Sequence, residues 1–189
     1  GYTGCPGYIV HMTCEGALNA VRDNNRHNQK VFAETCIQYL LLDASVYKQN
    51  FEGAKWVMSP PLREKKDQEA LWAGINQGLV QVVATDHCPF SWEKKLLGKD
   101  DFSKIPNGHP AIEHRVELLY SEGVRKGRIT ANKFVEVLST NPAKIFGMFP
   151  QKGCIAPGSD ADIVLFDPNE EHTISAATHH MNKKKAFVR

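Results

Sequence analysis

Val80-Gln81-Val82-Val83-Ala84-Thr85-Asp86-His87-Cys88-Pro89-Phe90 is the stretch that decides the fold. Val80, Val82, Val83 and Ala84 form the short apolar run of a strand buried on both faces, the mark of a parallel sheet. Pro89 has no amide hydrogen to offer and stops the run. Between run and stop stand Thr85, Asp86, His87 and Cys88, a cluster rich in groups that bind metals or move protons. A carboxylate where a buried parallel strand runs out lies where α/β enzymes place their chemistry. An Asp-initiated turn is the plainer reading of the same residues.

Working outward, the pattern alternates between strands and helices. Strands are expected at 7–12, 30–35 and 55–58, ahead of the one at 80–85. A helix at 14–26 carries Ala17, Leu18 and Val21 at helical spacing, with Thr13 as its cap. An apolar helical segment is expected within 36–47. A further helix at 63–77 puts Leu71, Trp72 and Ile75 on one face. This alternation implies a parallel sheet with helical crossovers. Residues 91–109 read as a long polar loop, and loops of that length inside a domain are usually functional. Helices follow at 112–126, at 131–138 behind a Thr130 cap, and from Pro142, where proline suits the first turn. Residues 161–166 read as a strand after the Gly158-Ser159 turn, at the edge of a separate β unit.

Composition excludes several classes. With 189 residues, 42% hydrophobic and 23% charged, the chain has the balance of a globular protein with a proper core. A net charge of +2 is too small to argue for nucleic acid or an anionic membrane as partner. No apolar run approaches the roughly 20 residues of a membrane span, and the first residues lack the basic and apolar regions of a signal peptide. The five cysteines are odd in number and scattered, with no CxxC pair. Neither a disulfide framework nor a thiolate zinc cluster follows, and a reducing cytoplasm fits. The chain starts almost on a strand and stops without a closing element, which reads as a piece of a longer protein.

Several residues can carry chemistry. His11 and Asp86 both end strands, and in a parallel barrel such ends open onto one face, so the two can converge from 75 residues apart. Imidazole and carboxylate are suitable ligands for a catalytic zinc; a core histidine bonded to backbone is the other reading of His11. Ser59 either bonds a ligand or is a turn residue before Pro60-Pro61. His87 is a supporting partner of a metal site or a turn cap. Asn107-Gly108 either presents backbone groups to a polar substrate or is a generic turn. Cys88 has only His87 beside it as a base for nucleophilic work. Neither GxGxxG nor a P-loop occurs, so nucleotide-binding loops are absent.

Four stretches together resemble one family: Tyr8-Ile9-Val10-His11-Met12-Thr13-Cys14, Glu34-Thr35-Cys36-Ile37-Gln38-Tyr39-Leu40, Ser59-Pro60-Pro61-Leu62-Arg63 and Thr85-Asp86-His87-Cys88-Pro89-Phe90. In order and spacing they resemble the dihydropyrimidinases and hydantoinases. The stretch from Gly153 through Asp162 to Val164 is similar to the start of the β-sandwich return of the wider amidohydrolase superfamily, and the likeness runs to about His180. The resemblance implies an α/β fold: the C-terminal portion of a (β/α)8 TIM-type barrel over residues 1–150, then the truncated start of a β-sandwich over 151–189. It implies a site with two zinc ions, His11 on the more exposed metal and Asp86 on the more buried one, where Asp86 also shuttles a proton. Ser59 and Asn107 would hold the ring imide largely through backbone groups.

The expected partner is a small cyclic ureide or imide, namely dihydrouracil, dihydrothymine or a hydantoin, opened to an N-carbamoyl amino acid. The complete protein is expected to be a homotetramer. The chain departs from the family in lacking any His-x-His. That pair, the carbamylated lysine and the fifth-strand histidine would all precede residue 1. Lys183 to Arg189 no longer resembles the family. Collapsin-response mediator proteins share the fold as cytoskeletal scaffolds without the metal ligands, so His11 and Asp86 favour the hydrolase. Allantoinases and dihydroorotases generally read differently at Cys88-Pro89-Phe90.

Overall fold

The computed structural model describes residues 4–27 and 29–181. Its centre is a parallel sheet of β1 (Gly7–Ile9), β2 (Val31–Cys36) and β3 (Val82–Ala84), in that order across the sheet. Helix α1 (Glu15–Arg26) crosses from β1 to β2. Helices α2 (Ile37–Leu41) and α3 (Lys65–Asn76) lie on the path from β2 to β3. Strand–helix alternation and parallel pairing are therefore as the apolar runs predict. β2 is central, with Ala33, Thr35 and Cys36 all sealed from solvent.

The helices pack by the faces their spacing provides. Leu18 and Val21 of α1 and Leu71, Trp72 and Ile75 of α3 are buried in the core. Gly74 makes the contact possible, since a Cβ there would come within 2.9 Å of both Leu18 methyls. The indole N–H of Trp72 donates to the carbonyl of Leu40 at 3.1 Å, joining α3 to α2.

Thr13 does not cap α1. The N-cap position is Cys14, with no side-chain hydrogen bond, and the free amide of Glu15 instead donates to Oδ1 of Asp67 at 2.9 Å. Asp67 also completes a capping box with Glu64 at the start of α3, so one buried carboxylate serves two helix ends. The Thr13 hydroxyl accepts from Nε of Arg63 at 3.4 Å.

Residues 55–58 are not a strand. A 3-10 helix, Asn50–Trp56, occupies the position, and Val57 and Met58 leave it extended. A strand needs a neighbour to complete its ladder, whereas the Val57 carbonyl receives the Gly108 amide at 3.0 Å and the Lys95 ammonium at 2.8 Å. The described sheet thus has three strands where four were expected.

The stretch 91–109 is not structureless. It holds α4 (Trp92–Leu96) and a 3-10 turn, Phe102–Lys104, capped by Asp101. It folds back on itself at Gly98, where a Cβ would meet the Ile105 side chain at 2.1 Å. Beyond it, α5 (Arg115–Leu119) widens into a π-type turn over Tyr120–Arg125. Helix α6 (Ala131–Val135) starts at Thr130, whose hydroxyl accepts from the Lys133 amide as expected. It widens likewise over Glu136–Thr140 and leads into α7 (Asn141–Ile145), with proline in the first turn.

Residues 161–166 do not form the expected strand. No strand lies beside them among the described residues, and Ile163, Val164 and Leu165 are exposed. Phe166, though still exposed, sets its ring 4.7 Å from that of Tyr120. The stretch Lys183 to Arg189 lies outside the described residues.

Candidate active site at the carboxyl edge of the sheet

Strands β1 and β3 flank β2 and end at the same edge. Ile9 is level with Ala33, and Ala84 with Cys36. His11 and Asp86 each stand two residues beyond their strand, on either side of β2; two strand spacings, about 10 Å, separate them across the sheet, and Asp86 lies three residues further along it. Both have a left-handed backbone, φ 40° at His11 and φ 46° at Asp86; Asn50 is the other described non-glycine residue with positive φ. Such a conformation costs an L-residue roughly 1–2 kcal/mol and is concentrated where function requires it. Neither the His11 nor the Asp86 side chain makes a hydrogen bond among the described residues.

Both tips are fixed from behind. The Met12 amide donates to the Glu34 carbonyl at 2.7 Å and the Thr35 hydroxyl to the Met12 carbonyl at 2.8 Å, next to His11. Along β3, side chains from three elements reach successive alternate carbonyls. Asn141 donates to Gln81 at 3.0 Å, Arg115 to Val83 at 3.2 Å and Gln38 to Thr85 at 2.9 Å. Asp86 therefore projects from a strand end whose position is heavily determined.

Ser59 and Asn107 are exposed, and the structure joins the segments that carry them. The Gly108 amide donates to the Val57 carbonyl at 3.0 Å. Among the described residues neither the amide nor the carbonyl of Ser59 or of Asn107 has a hydrogen-bond partner. Their neighbours do: the Pro60 carbonyl receives the Tyr39 hydroxyl at 2.8 Å, and Pro106 and Gly108 are held as described below. Uncommitted backbone groups between pinned neighbours can bind a polar ligand without first giving up bonds of their own.

His87 is neither a turn cap nor in hydrogen-bond contact with Asp86. Its Nδ1 accepts the amides of Ala111 and Ile112, each at 3.1 Å, and residues 87 and 109 form a short parallel bridge. Burial, then His179, lowers its pKa, which suits a ring nitrogen that must stay unprotonated to accept two N–H groups. His87 thus fastens the end of the 91–109 segment to the tip of β3. Cys88 has no hydrogen bond from its thiol to that ring, so the paired nucleophile and base are not assembled; none of the five cysteines is in a disulfide.

Lys95 and His109 are the residues that sequence reasoning missed. The Lys95 side chain is fully buried, and its ammonium donates to three carbonyls, Val57 at 2.8 Å, Pro106 at 2.7 Å and Gly108 at 3.1 Å. Burial pulls its pKa down to about 8, against a smaller upward pull from Cys88. His109 stacks on Trp56 with ring centroids 5.1 Å apart, and both its ring nitrogens are buried without a partner. Burial first, then Lys95 and His87, lowers its pKa to about 4.

Two other clusters offer donor atoms within 4.8 Å of one another: Glu113, His114 and His179, and His114, Glu117 and His172. Glu113 is already taken up by the amide of His180 at 2.9 Å, by its Nδ1 at 2.7 Å, and by His179. These groups act as a staple that holds the segment around His172 to His180 against the start of α5. An apolar cavity of about 260 Å³ beside them is lined by residues including Ile37, Trp56, His109 and His179. None of His11, Ser59, Asp86 or Asn107 lines it.

At the sheet edge, an imidazole and a carboxylate free of internal bonds fit two positions of a zinc site, which takes nitrogen and oxygen donors. They are a partial set, since such a site has three or four protein ligands.

Comparison with known proteins adds a family to this geometry. Residues 15–189 match the model of the Amidohydrolase family. The D-hydantoinase of Geobacillus stearothermophilus is 54% identical over 176 residues, covering 92% of this chain and 37% of that protein. Among solved structures, the dihydropyrimidinase from Brevibacillus agri superposes with a TM-score of 0.91 at 51% identity, over 97% of this chain and 41% of that one. The D-hydantoinase (dihydropyrimidinase) from Thermus sp. gives 0.92 at 48% identity, over 96% and 40%. The chain thus spans less than half the length of these relatives.

Proposed function

This chain belongs to the amidohydrolase family, and on that footing we propose that it supplies one side of a hydrolase site that opens cyclic amides of the hydantoin and dihydropyrimidine class to N-carbamoyl amino acids. The observation that carries the reading is the pair of left-handed strand ends, where His11 and Asp86 stand at one sheet edge with their side chains uncommitted. The outer edges of β1 and β3, which pair with no strand among the described residues, would receive the other strands of a (β/α)8 barrel, with further metal ligands on them.

In this proposal His11 and Asp86 hold zinc. The metal, when bound, lowers the pKa of a water and polarises the amide carbonyl. Asp86 accepts the proton of the attacking water and returns it to the ring nitrogen as the carbon–nitrogen bond breaks, acting as base and then as acid. The free amide and carbonyl groups of Ser59 and Asn107 bind the donor–acceptor edge of the ureide and fix its angle to Asp86. His87 works at one remove, by fastening the Asn107 segment to the tip of β3.

The test is a graft. Residues 7–181 replace the matching segment of the Geobacillus stearothermophilus D-hydantoinase, and ring opening of hydantoin and of dihydrouracil is followed by loss of ultraviolet absorbance. Zinc-dependent hydrolysis is expected, with Asp86→Asn lowering kcat by about 10²–10⁴ in a folded protein. A folded, zinc-loaded graft that turns over neither ring, or an active Asp86→Asn variant, refutes the proposal.

A further inference from the structure

We infer that Lys95 is a positioning residue for substrate binding, locking the segments of Ser59 and Asn107 into one rigid edge; the inference rests on the function proposed above. A buried ammonium without a carboxylate beside it is costly unless every N–H is satisfied. Lys95 meets that condition with three backbone carbonyls and no anion. An apolar side chain of equal length would fill the space without that cost, so the charge is retained for what it binds.

Its acceptors are specific in place. Val57 lies two residues before Ser59. Pro106 and Gly108 stand on either side of Asn107, and both turn their carbonyls to the ammonium while Asn107 does not. The clamp therefore fixes Asn107 from both sides and leaves its own amide and carbonyl free. The Gly108 amide closes the same junction onto Val57. Removing the ammonium leaves three inward carbonyls unpaired, and the backbone that presents Asn107 relaxes.

The experiment uses the graft with Lys95→Met, and with Val21→Ala in the core of α1 as a control for lost stability. Lys95→Met is expected to raise KM by roughly tenfold or more with kcat within about threefold, the pattern of lost ground-state binding. Val21→Ala lowers the melting temperature and leaves KM unchanged. In the 189-residue chain itself, hydrogen exchange of the Gly108 amide should speed up by about tenfold or more in Lys95→Met. That readout needs no turnover, so an inactive wild-type graft counts against the proposed function alone. A Lys95→Met KM within twofold of wild type, an equal KM rise in Val21→Ala, unchanged Gly108 exchange, or a Lys95→Met chain that does not fold each overturns the inference.

Discussion

Gly108→Ala tests the junction at which three parts of the site meet. A Cβ built on Gly108 lies 2.2 Å from the Cys88 carbonyl oxygen, 2.9 Å from the Phe90 ring and 3.0 Å from the Cys88 Cβ. The oxygen must retreat by about 1 Å to reach ordinary contact. It has little room to do so, because the Cys88 amide is bonded to His109 and both backbone groups of Gly108 are tied to Val57 and Lys95. The φ of +156° adds a penalty for any L side chain. Overpacking costs about 1–3 kcal/mol and the backbone conformation about 1–3 kcal/mol, so a loss of about 2–6 kcal/mol is expected. Gly147→Ala is the control: its φ is +71° with nothing within 4 Å of the new methyl, which leaves about 1 kcal/mol of backbone strain alone. Urea unfolding of the 189-residue chain measures both. If Gly108→Ala loses no more than Gly147→Ala, the contact with Cys88 does not constrain this junction and the account of the clamp fails.

Four other outcomes are expected. In the graft, Asp86→Asn lowers the rate of ring opening by about 10²–10⁴ while its circular dichroism spectrum stays that of the parent. His109 is neutral in the fold with a pKa of about 4 against 6.5 unfolded, so the unfolded chain binds the extra proton between those values. Stability therefore falls as pH drops from 6.5 towards 4, by up to about 3 kcal/mol from this residue, and His109→Phe should flatten that part of a pH–stability profile. Asp67→Ala removes the acceptor of two helix ends and should cost about 2 kcal/mol in urea unfolding, whereas Thr13→Val removes only the long contact from Arg63 and should cost less than about 1 kcal/mol. The 189-residue chain alone, with only the two proposed ligands His11 and Asp86, should retain no zinc after dialysis against a chelator and show no turnover; stoichiometric zinc by elemental analysis would contradict this.

Much of the fold was legible because burial leaves a mark on sequence. β3 reads as a strand because Val80, Val82 and Val83 are sealed on both faces. The faces of α1 and α3 read from Leu18, Val21, Leu71 and Ile75. The failures have a common cause, which is that apolarity reports burial and not backbone hydrogen bonding. Trp56 and Met58 are as buried as strand residues, yet the chain there runs from a 3-10 helix into a segment bonded to Lys95 and Gly108. Residues 163–165 have a strand's composition and no strand beside them among the described residues. At α1 a good local cap, Thr13, lost to a carboxylate 52 residues from the amide it caps, in a competition local sequence does not record.

The site divides along the same line. His11 and Asp86 could be singled out as candidates because their positions follow from where apolar runs end, and the left-handed backbone at both is a feature that no residue type advertises. Ser59 and Asn107 read equally well as ligand-binding groups or plain turn residues, and only the resemblance favoured the first, since a turn serine and an Asn-Gly pair have no distinctive chemistry. Lys95 could not be found at all. It follows Lys94 in a charged helix and reads as a solvated cation, while its partners lie 38, 11 and 13 residues away. Those partners are backbone carbonyls, which every residue possesses, so nothing in their side chains marks them. A cation paired with a carboxylate leaves two charged letters to be matched; one paired with carbonyls leaves a single letter. Only the fold distinguishes it, by burying the ammonium completely where solvent would otherwise have kept it.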